Sequence, residues 1–410
     1  MESRRFGSLD VLRGAAVMFI LFFHTSIFNY ANIHKIDFSD PPLLIILLSF
    51  MALWGGIFVM YSAIVNTMML LRRNKGQSGP KIFMFPIYAG LAYIAFHYIL
   101  NLLLGRWAND FVNNTPDMTL VAGSLRSMKL VLPKAALFFE GSSLSAISIN
   151  LMVLSLVLYL LLRNGGISKE RRNYLVLGIT GTLIMILSFV RVSIYPHFDE
   201  ALENGQHLLS LFYSFTIANP YPLIPYLAYG ILGIMLGMMV YNHRDKLLRA
   251  VGIPLGVFFI AYGIYGVMQF EKTISKPDYF WYFKTNFELG IFILMFLFAV
   301  LYLEARPKVI NALAVVSDFS RISLTIYTLE TTVSEVLRKI LLALIPSWNQ
   351  TINGCLLFGG LNVVLWLLIL HFWKKSGFRY SIEYFWVLLS RKLGKDSSKM
   401  DYLKRSTPAL

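Results

Sequence analysis

The chain has 410 residues, of which 57% are hydrophobic and only 14% are charged, and its formal net charge is +15. A soluble domain carries about 25% charged residues, so this composition excludes an ordinary soluble enzyme of two or three domains. The single cysteine, Cys355, excludes an intramolecular disulfide and a metal cluster built on cysteines.

Apolar runs of about 20 residues recur along the whole chain, and this length crosses a bilayer as a helix. Lipid offers no hydrogen-bond partner to the backbone, so these runs must be helical. The sequence therefore predicts an all-α, polytopic integral membrane protein of about ten transmembrane helices. The predicted spans are 12–28, 43–71, 82–104, 146–162, 174–193, 221–241, 250–269, 288–304, 319–337 and 352–372.

Basic residues are distributed unevenly between the two sides of these spans. If the N-terminus is cytoplasmic, every inner segment is basic, and about 25 of the 37 lysines and arginines lie inside. This pattern follows the positive-inside rule, so it predicts that both termini are cytoplasmic. We expect a multi-pass protein of a prokaryotic inner or plasma membrane. Because topology accounts for the positive charge, we expect no nucleic-acid partner.

The first span, although it begins with a basic segment, has no clear small-residue cleavage site after it, which favours a retained helix over a signal peptide. The chain divides into a membrane domain, 1–376, and a cytoplasmic tail, 377–410. Within the tail, one helical face is apolar, and its members are Phe378, Ile382, Phe385, Leu389 and Leu393. This pattern predicts a basic amphipathic helix that lies on the inner leaflet as an anchor.

Arg13 and His24 are the sharpest pair of ionisable residues in the predicted membrane region. Eleven residues at 100° each bring them onto one helical face, about 16 Å apart along the axis. An arginine fork suits a phosphate, and a buried imidazole suits proton transfer. On spacing alone, a snorkelling arginine and a histidine bonded to a neighbouring helix are the better interpretation.

The residues around this pair carry a family resemblance. The segment 8–14, Ser-Leu-Asp-Val-Leu-Arg-Gly, followed by an apolar run to His24, resembles the start of the transmembrane acyltransferase superfamily. That superfamily includes bacterial membrane sugar O-acetyltransferases and proteins similar to heparan-α-glucosaminide N-acetyltransferase. Shorter similarities occur at 143–147, 222–226, 320–327 and 377–384.

The resemblance implies an acyl-CoA donor, with Arg13 and either Arg72 or Arg73 holding the CoA phosphates. His24 would act as general base or carry the acyl group briefly, and no metal is required. The sugar O-acetyltransferases often have two arginines three residues apart in the first cytoplasmic loop. In this chain Arg72 is followed by Lys75, so the match is partial.

Three further ionisable residues within predicted spans are candidates for the site. His97 lies at the depth of His24 and could accept a proton, although a hydrogen-bonded interior histidine is the commoner case. Glu330 could orient a histidine or bind a sugar hydroxyl. Glu330 and Glu335 could equally pair with an arginine or a neighbouring helix.

These observations favour a membrane-embedded acyltransferase that uses acetyl-CoA or another acyl-CoA from the cytoplasm. The acceptor would be a hydroxyl or amine of a glycan, glycolipid or small sugar-like molecule. The alternative is a secondary transporter or lipid flippase in which buried His and Glu side chains relay protons. A structural membrane subunit is the third interpretation, and homo-oligomerisation stays open.

Overall fold

The computed structural model describes residues 6–32, 48, 54–73, 80–104, 108–110, 115–117, 119–139, 141–218, 221–270, 277–386 and 388. This part of the chain is helical apart from one hairpin of two antiparallel three-residue strands, β1 (Ala108–Asp110) and β2 (Thr115–Asp117). The prediction of an all-α fold from the apolar runs is thus confirmed for the described residues, apart from this short hairpin.

The α-helices of the described residues are numbered in chain order. They are α1 (Gly7–Ser26), α2 (Gly55–Arg73), α3 (Pro80–Ile99), α4 (Leu120–Ser127), α5 (Ser143–Leu162), α6 (Glu170–Leu187), α7 (Val190–Glu203), α8 (His207–Tyr213), α9 (Leu223–Tyr241), α10 (Asp245–Val267), α11 (Tyr279–Phe298), α12 (Pro307–Ala312), α13 (Ala314–Arg321), α14 (Ser323–Leu344) and α15 (Ile352–Lys375). Short 3₁₀ or π turns occupy Ile27–Asn29, Leu100–Leu104, Ala135–Phe139, Gly166–Ser168, Ser214–Ala218, Ala299–Leu303 and Trp348–Gln350.

Within the described residues, eight helices are long and apolar enough to cross a membrane. The count is nine if α6 and α7, which meet at an angle of 58°, form one broken span. The long predicted run 43–71 corresponds to α2 only in its second part, and most of 43–53 lies outside the described residues. The polytopic character is thus shown. The predicted count of ten requires α6–α7 to form one broken span and α14 to form another.

Helix α14 is long enough for a span, with 22 residues, but it is too polar to qualify by composition. Three of its four charged side chains, Glu330, Glu335 and Arg338, are each less than a tenth exposed, and the fourth, Lys339, is half-buried. Burial against other helices keeps these charges away from lipid, so a polar helix is compatible with a position inside the bundle.

The larger apolar core is centred on α9, which is buried along most of its length. A Cβ atom built on Gly233 would lie 2.7 Å from the carbonyl oxygen of Met60, and one on Gly237 would lie 2.8 Å from that of Ile64. Side chains at these two positions would therefore push α2 away from α9. The small residues let the two backbones approach closely, as the glycine spacing suggests for a membrane helix.

A second apolar cluster joins α1 to α13, α14 and α15. It contains Leu21 of α1, Phe319 of α13, Ile326 of α14 and Trp366 of α15, all nearly inaccessible to solvent. Phe378, which begins the predicted amphipathic face of the tail, is also fully buried in this cluster. The start of the tail therefore packs into protein, and the cluster fixes α1 beside α14.

Candidate functional site

A cleft opens where the C-terminal end of α1 meets the middle of α14 and the short helix α4. Its empty volume is about 360 Å³, including open solvent. The lining residues are His24, Thr25, Phe28, Asn29, Arg126, Glu330, Thr331, Ser334 and Glu335. The cleft thus combines a histidine, two carboxylates, an arginine and several side chains that can bind hydroxyl groups.

His24 and Glu330 form a short hydrogen bond in this cleft. The His24 Nδ1 atom lies 2.6 Å from Glu330 Oε1, and the two side chains are 20% and 2% exposed. A carboxylate accepts hydrogen bonds only, so Glu330 fixes the tautomer with a proton on Nδ1 and a lone pair on Nε2. No hydrogen bond to Nε2 is made by the residues that the structure describes. The lone pair of Nε2 is the group that can take a proton.

Helical spacing explains why these side chains share the cleft. Phe28 follows His24 by one turn, and its ring stacks on the imidazole at 5.6 Å between centroids and 25° between planes. Ser334 follows Glu330 by one turn on α14, so it lines the same wall. The carboxylate of Glu330 therefore holds the imidazole through Nδ1, and the ring of Phe28 covers one face of the imidazole.

A second charged group lies further along α14. Glu335 accepts from Arg338 at 2.6 Å to Nη2 and 2.9 Å to Nε, and from Arg126 Nη1 at 3.5 Å. Lys339 Nζ donates to the backbone carbonyl of Arg126 at 3.4 Å. Burial, with a smaller contribution from Arg338, lowers the pKa of Arg126 to about 9, so its guanidinium stays charged at neutral pH.

Arg13 lies towards the other end of α1 and contacts the junction between α13 and α14. Its Nη2 donates to the carbonyl of Ser320, whose hydroxyl in turn donates to Asp10 at 3.3 Å. Near the start of α1, the backbone N–H of Ser8 donates to Glu304 at 2.9 Å. Arg13 therefore also fixes the position of α1, in addition to any role toward a ligand.

The structure brings only part of the predicted site together. His97 is fully buried, its Nδ1 lies 2.9 Å from the hydroxyl of Ser142, and it does not line the cleft. The residue that meets His24 is Glu330. Arg72 lies at the C-terminal end of α2, and the side chain of Arg73 lies outside the described residues.

Sequence reasoning did not single out Arg126. Its only signal was its position: a basic residue in an outer segment runs against the positive-inside trend. Of the alternatives left open for Glu335, pairing with an arginine is the one observed, and the arginine is Arg338. No group of three or more His, Cys, Asp or Glu side chains that could hold a metal ion is present in the described part of the chain.

Comparison with protein families finds none whose model matches this chain, and comparison with curated proteins finds no significant match. The resemblance to the transmembrane acyltransferases thus stays a prediction from the sequence motifs. A function must be argued from the geometry of the cleft.

Proposed function

We propose that this protein is a membrane-embedded acyltransferase that moves an acyl group, acetyl in the simplest case, from acyl-CoA to a hydroxyl or amine. The observation that supports this most is the hydrogen bond between His24 and the buried carboxylate of Glu330. A histidine oriented by a carboxylate is the arrangement that general-base catalysis of acyl transfer uses.

In the direct reaction, Nε2 of His24 takes the proton from the acceptor hydroxyl as its oxygen attacks the thioester carbonyl. The C–S bond then breaks, and the CoA thiolate takes the proton back from Nε2. Glu330 stabilises the imidazolium that exists between these two transfers. In the two-step alternative, Nε2 itself forms the bond to the acyl carbon and the C–S bond breaks, so that CoA leaves as the thiolate. The acceptor oxygen then attacks the acyl-histidine, the C–N bond breaks, and the freed Nε2 takes the acceptor's proton.

The donor side of the proposal depends on Arg13 and on the sequence resemblance. Arg13 and His24 share one face of α1 and are about 16 Å apart along its axis, which is about the reach of an extended pantetheine arm. Phosphates near Arg13 would thus leave the thioester beside His24. Arg72 and Arg73, at the C-terminal end of α2, are the further candidates for phosphate contacts.

The acceptor side of the proposal rests on the lining of the cleft. Thr331 and Ser334 offer hydroxyl groups, Asn29 offers an amide, and Phe28 offers an aromatic face. Polar groups beside an aromatic ring suit a sugar-like acceptor better than a lipid chain. With the N-terminus cytoplasmic, the cleft lies in the outer half of the membrane, so a cell-surface glycan or glycolipid would approach from outside.

A secondary transporter is the second candidate. One observation favours it: α11 carries an ion pair in its interior, in which Lys284 Nζ lies 3.5 Å from Glu288, and the Glu288 side chain is 3% exposed. Ionisable groups buried in a membrane helix suit a proton relay. Lys284 and Glu288 do not line the cleft with His24, so this pair adds nothing to acyl transfer.

The test uses the purified full-length protein in lipid nanodiscs with acetyl-CoA and a panel of sugars, and it measures CoA release and acetylated product. His24→Gln keeps hydrogen bonding but cannot take a proton, so the rate should fall by about 10²–10⁴-fold. His371→Gln, an exposed histidine on α15, is the matched control and should retain full activity.

Near-normal CoA release by folded His24→Gln protein would overturn the catalytic role of His24. Proton-coupled flux in proteoliposomes, without CoA release under any acceptor condition, would favour the transporter instead.

A further inference from the structure

The start of the C-terminal tail brings an indole ring near Arg13. Residues 382–386 form one helical turn, so Glu383 and Trp386, three residues apart, lie on the same face. Glu383 accepts from the first amides of α14. Trp386 stacks on Tyr93 of α3, with 5.4 Å between the ring centroids and 26° between the ring planes. This turn of the tail therefore joins α14 to α3.

Tyr93 lies between this part of the tail and Arg13. The charges of Arg13 and Glu383 are both close enough to Tyr93 to act on its hydroxyl electrostatically. Glu383 accepts three hydrogen bonds, two from amides at the N-terminal end of α14 and one from the hydroxyl of Thr325. These donors and the positive end of the helix dipole offset part of its negative charge, which reduces its repulsion of an anion nearby.

Arg13 retains hydrogen-bond donors for a further acceptor. Its Nη2 donates to the carbonyl of Ser320, and its buried Nε has no hydrogen-bond partner among the residues that the structure describes. A guanidinium carries five N–H groups in a planar fork that matches a phosphate. Arg13 can therefore bind a phosphate while it still holds the carbonyl of Ser320.

The indole of Trp386 offers a flat surface in the same region. Its ring is partly buried, with one face against Tyr93, and no second aromatic ring of the described residues stacks on it. A purine base stacks well on an indole, because both rings are flat and have polarisable faces. The nucleotide end of CoA combines a purine with phosphates, and a tryptophan near an arginine can bind these two groups together.

We propose that Trp386 binds the adenine ring of acyl-CoA by stacking, while Arg13 binds the phosphates. The inference rests on the proposed acyl transfer, because it completes the donor side of the same site. In CoA the phosphates are attached to the adenosine, and the pantetheine arm leads from them to the thioester. Phosphates at Arg13 place the start of this arm on the face of α1 that leads to His24, about 16 Å along the axis. The tail thus contributes to donor binding in addition to capping α14.

The experiment divides CoA into its two halves and measures binding, so that it does not depend on catalysis. Adenosine 3′,5′-bisphosphate and 4′-phosphopantetheine are titrated by calorimetry into the full-length protein in lipid nanodiscs. In Trp386→Leu the affinity for the nucleotide should fall about tenfold or more, while the affinity for phosphopantetheine changes by less than about twofold. Trp386→Phe keeps an aromatic face and should retain most of the affinity for the nucleotide.

Phe385→Leu is the matched control, because it removes the neighbouring aromatic ring of the same segment at an exposed position. It should bind both halves as the wild type does. Hydrogen exchange at the amide of Leu324, which donates to Glu383, shows whether the tail stays in place in each variant.

A second measurement applies if Trp386→Leu releases the tail. The fluorescence of etheno-CoA, whose modified adenine is the fluorophore, should be quenched on binding to the wild type, because the indole stacks on it. The quenching should be weaker in Trp386→Phe, which keeps a smaller ring at the same position. Bound etheno-CoA that stays unquenched in the wild type would overturn the inference.

Unchanged nucleotide affinity in Trp386→Leu with the tail in place would overturn the inference as well. An equal loss of affinity for both halves, or no binding of the nucleotide to the wild type at millimolar concentration, would have the same consequence. A protein that binds the nucleotide through Trp386 but never releases CoA would refute the acyl transfer and leave the nucleotide site standing.

Discussion

In His24 the Nδ1 atom is 2.6 Å from an oxygen of Glu330, whose side chain is almost completely buried. At the residue scale this contact selects the tautomer, and with it the nitrogen that can act as a base. It also means that removing the imidazole would leave a buried carboxylate without this partner, which costs stability. Tests at His24 must therefore separate chemistry from folding.

The substitution Glu330→Gln separates an effect on catalysis from an effect on folding. The amide is almost isosteric, but it can donate as well as accept, so it no longer fixes the tautomer or stabilises the imidazolium. We expect CoA release to fall by up to about 10⁴-fold while the melting temperature changes little. Glu203→Gln, an exposed carboxylate on α7, should behave as the wild type. Full activity in Glu330→Gln would show that the pair only supports the fold.

Arg13 has a structural contact that its sequence motif did not reveal, the hydrogen bond to the Ser320 carbonyl. Arg13→Ala should weaken CoA binding by about 1.5–3 kcal/mol, as expected for a charged hydrogen bond, and should also lower the melting temperature. Arg13→Lys should restore binding only partly, because lysine keeps the charge without the fork. Calorimetry on folded protein is the measurement, and unchanged CoA affinity in Arg13→Ala would exclude a donor role.

At the scale of elements, the start of the C-terminal tail closes the end of α14 that lies beside α13. Glu383 accepts from the backbone N–H groups of Leu324 and Thr325 at 2.6 and 3.3 Å, and from the Thr325 hydroxyl at 2.6 Å. Trp386 stacks on Tyr93 of α3 at 5.4 Å. The first amide groups of a helix have no partner within it, so Glu383 acts as a cap from a distant segment.

Glu383→Ala should remove this cap and cost about 0.5–2 kcal/mol of stability. The local signature is faster hydrogen exchange at the amides of Leu324 and Thr325, accompanied by a lower melting temperature. Arg379→Ala changes an exposed side chain of the same segment and should leave both measurements unaltered. Unchanged exchange in Glu383→Ala would mean that the tail does not cap α14 in the membrane-bound protein.

At the scale of the whole molecule, the helices alternate in direction in a way that agrees with the distribution of basic residues. α2 and α9 run side by side in the same direction, with Gly233 against Met60 and Gly237 against Ile64. α15 runs against α1, because Gly359 near its beginning packs on Ser26 at the end of α1. If the bent pair α6–α7 is one span and α14 is another, the described spans number ten and both termini lie on one side.

This arrangement predicts the sidedness of single cysteines in a Cys355→Ser background. A membrane-impermeant maleimide added from outside should label cysteines at Lys129 and Glu200 in intact cells. It should spare cysteines at Ser168 and Asp245 until the membrane is opened. All four positions are exposed, so accessibility differs only by side. Outside labelling at Ser168 or Asp245 would invert the assigned topology.

The sequence alone determined the class of protein, most of the spans and the face shared by Arg13 and His24. These properties can be read from local features of the sequence. They are the length of an apolar run, the charge of a loop and the 100° rotation between successive residues of a helix. The tertiary structure decided which distant side chains contact one another. Glu330 is 306 residues from His24, Arg126 is 209 from Glu335, and Glu383 caps a helix 59 residues earlier. A periodic pattern shows which face of a helix is polar but not which helix lies against it, because many packings bury the same apolar surface.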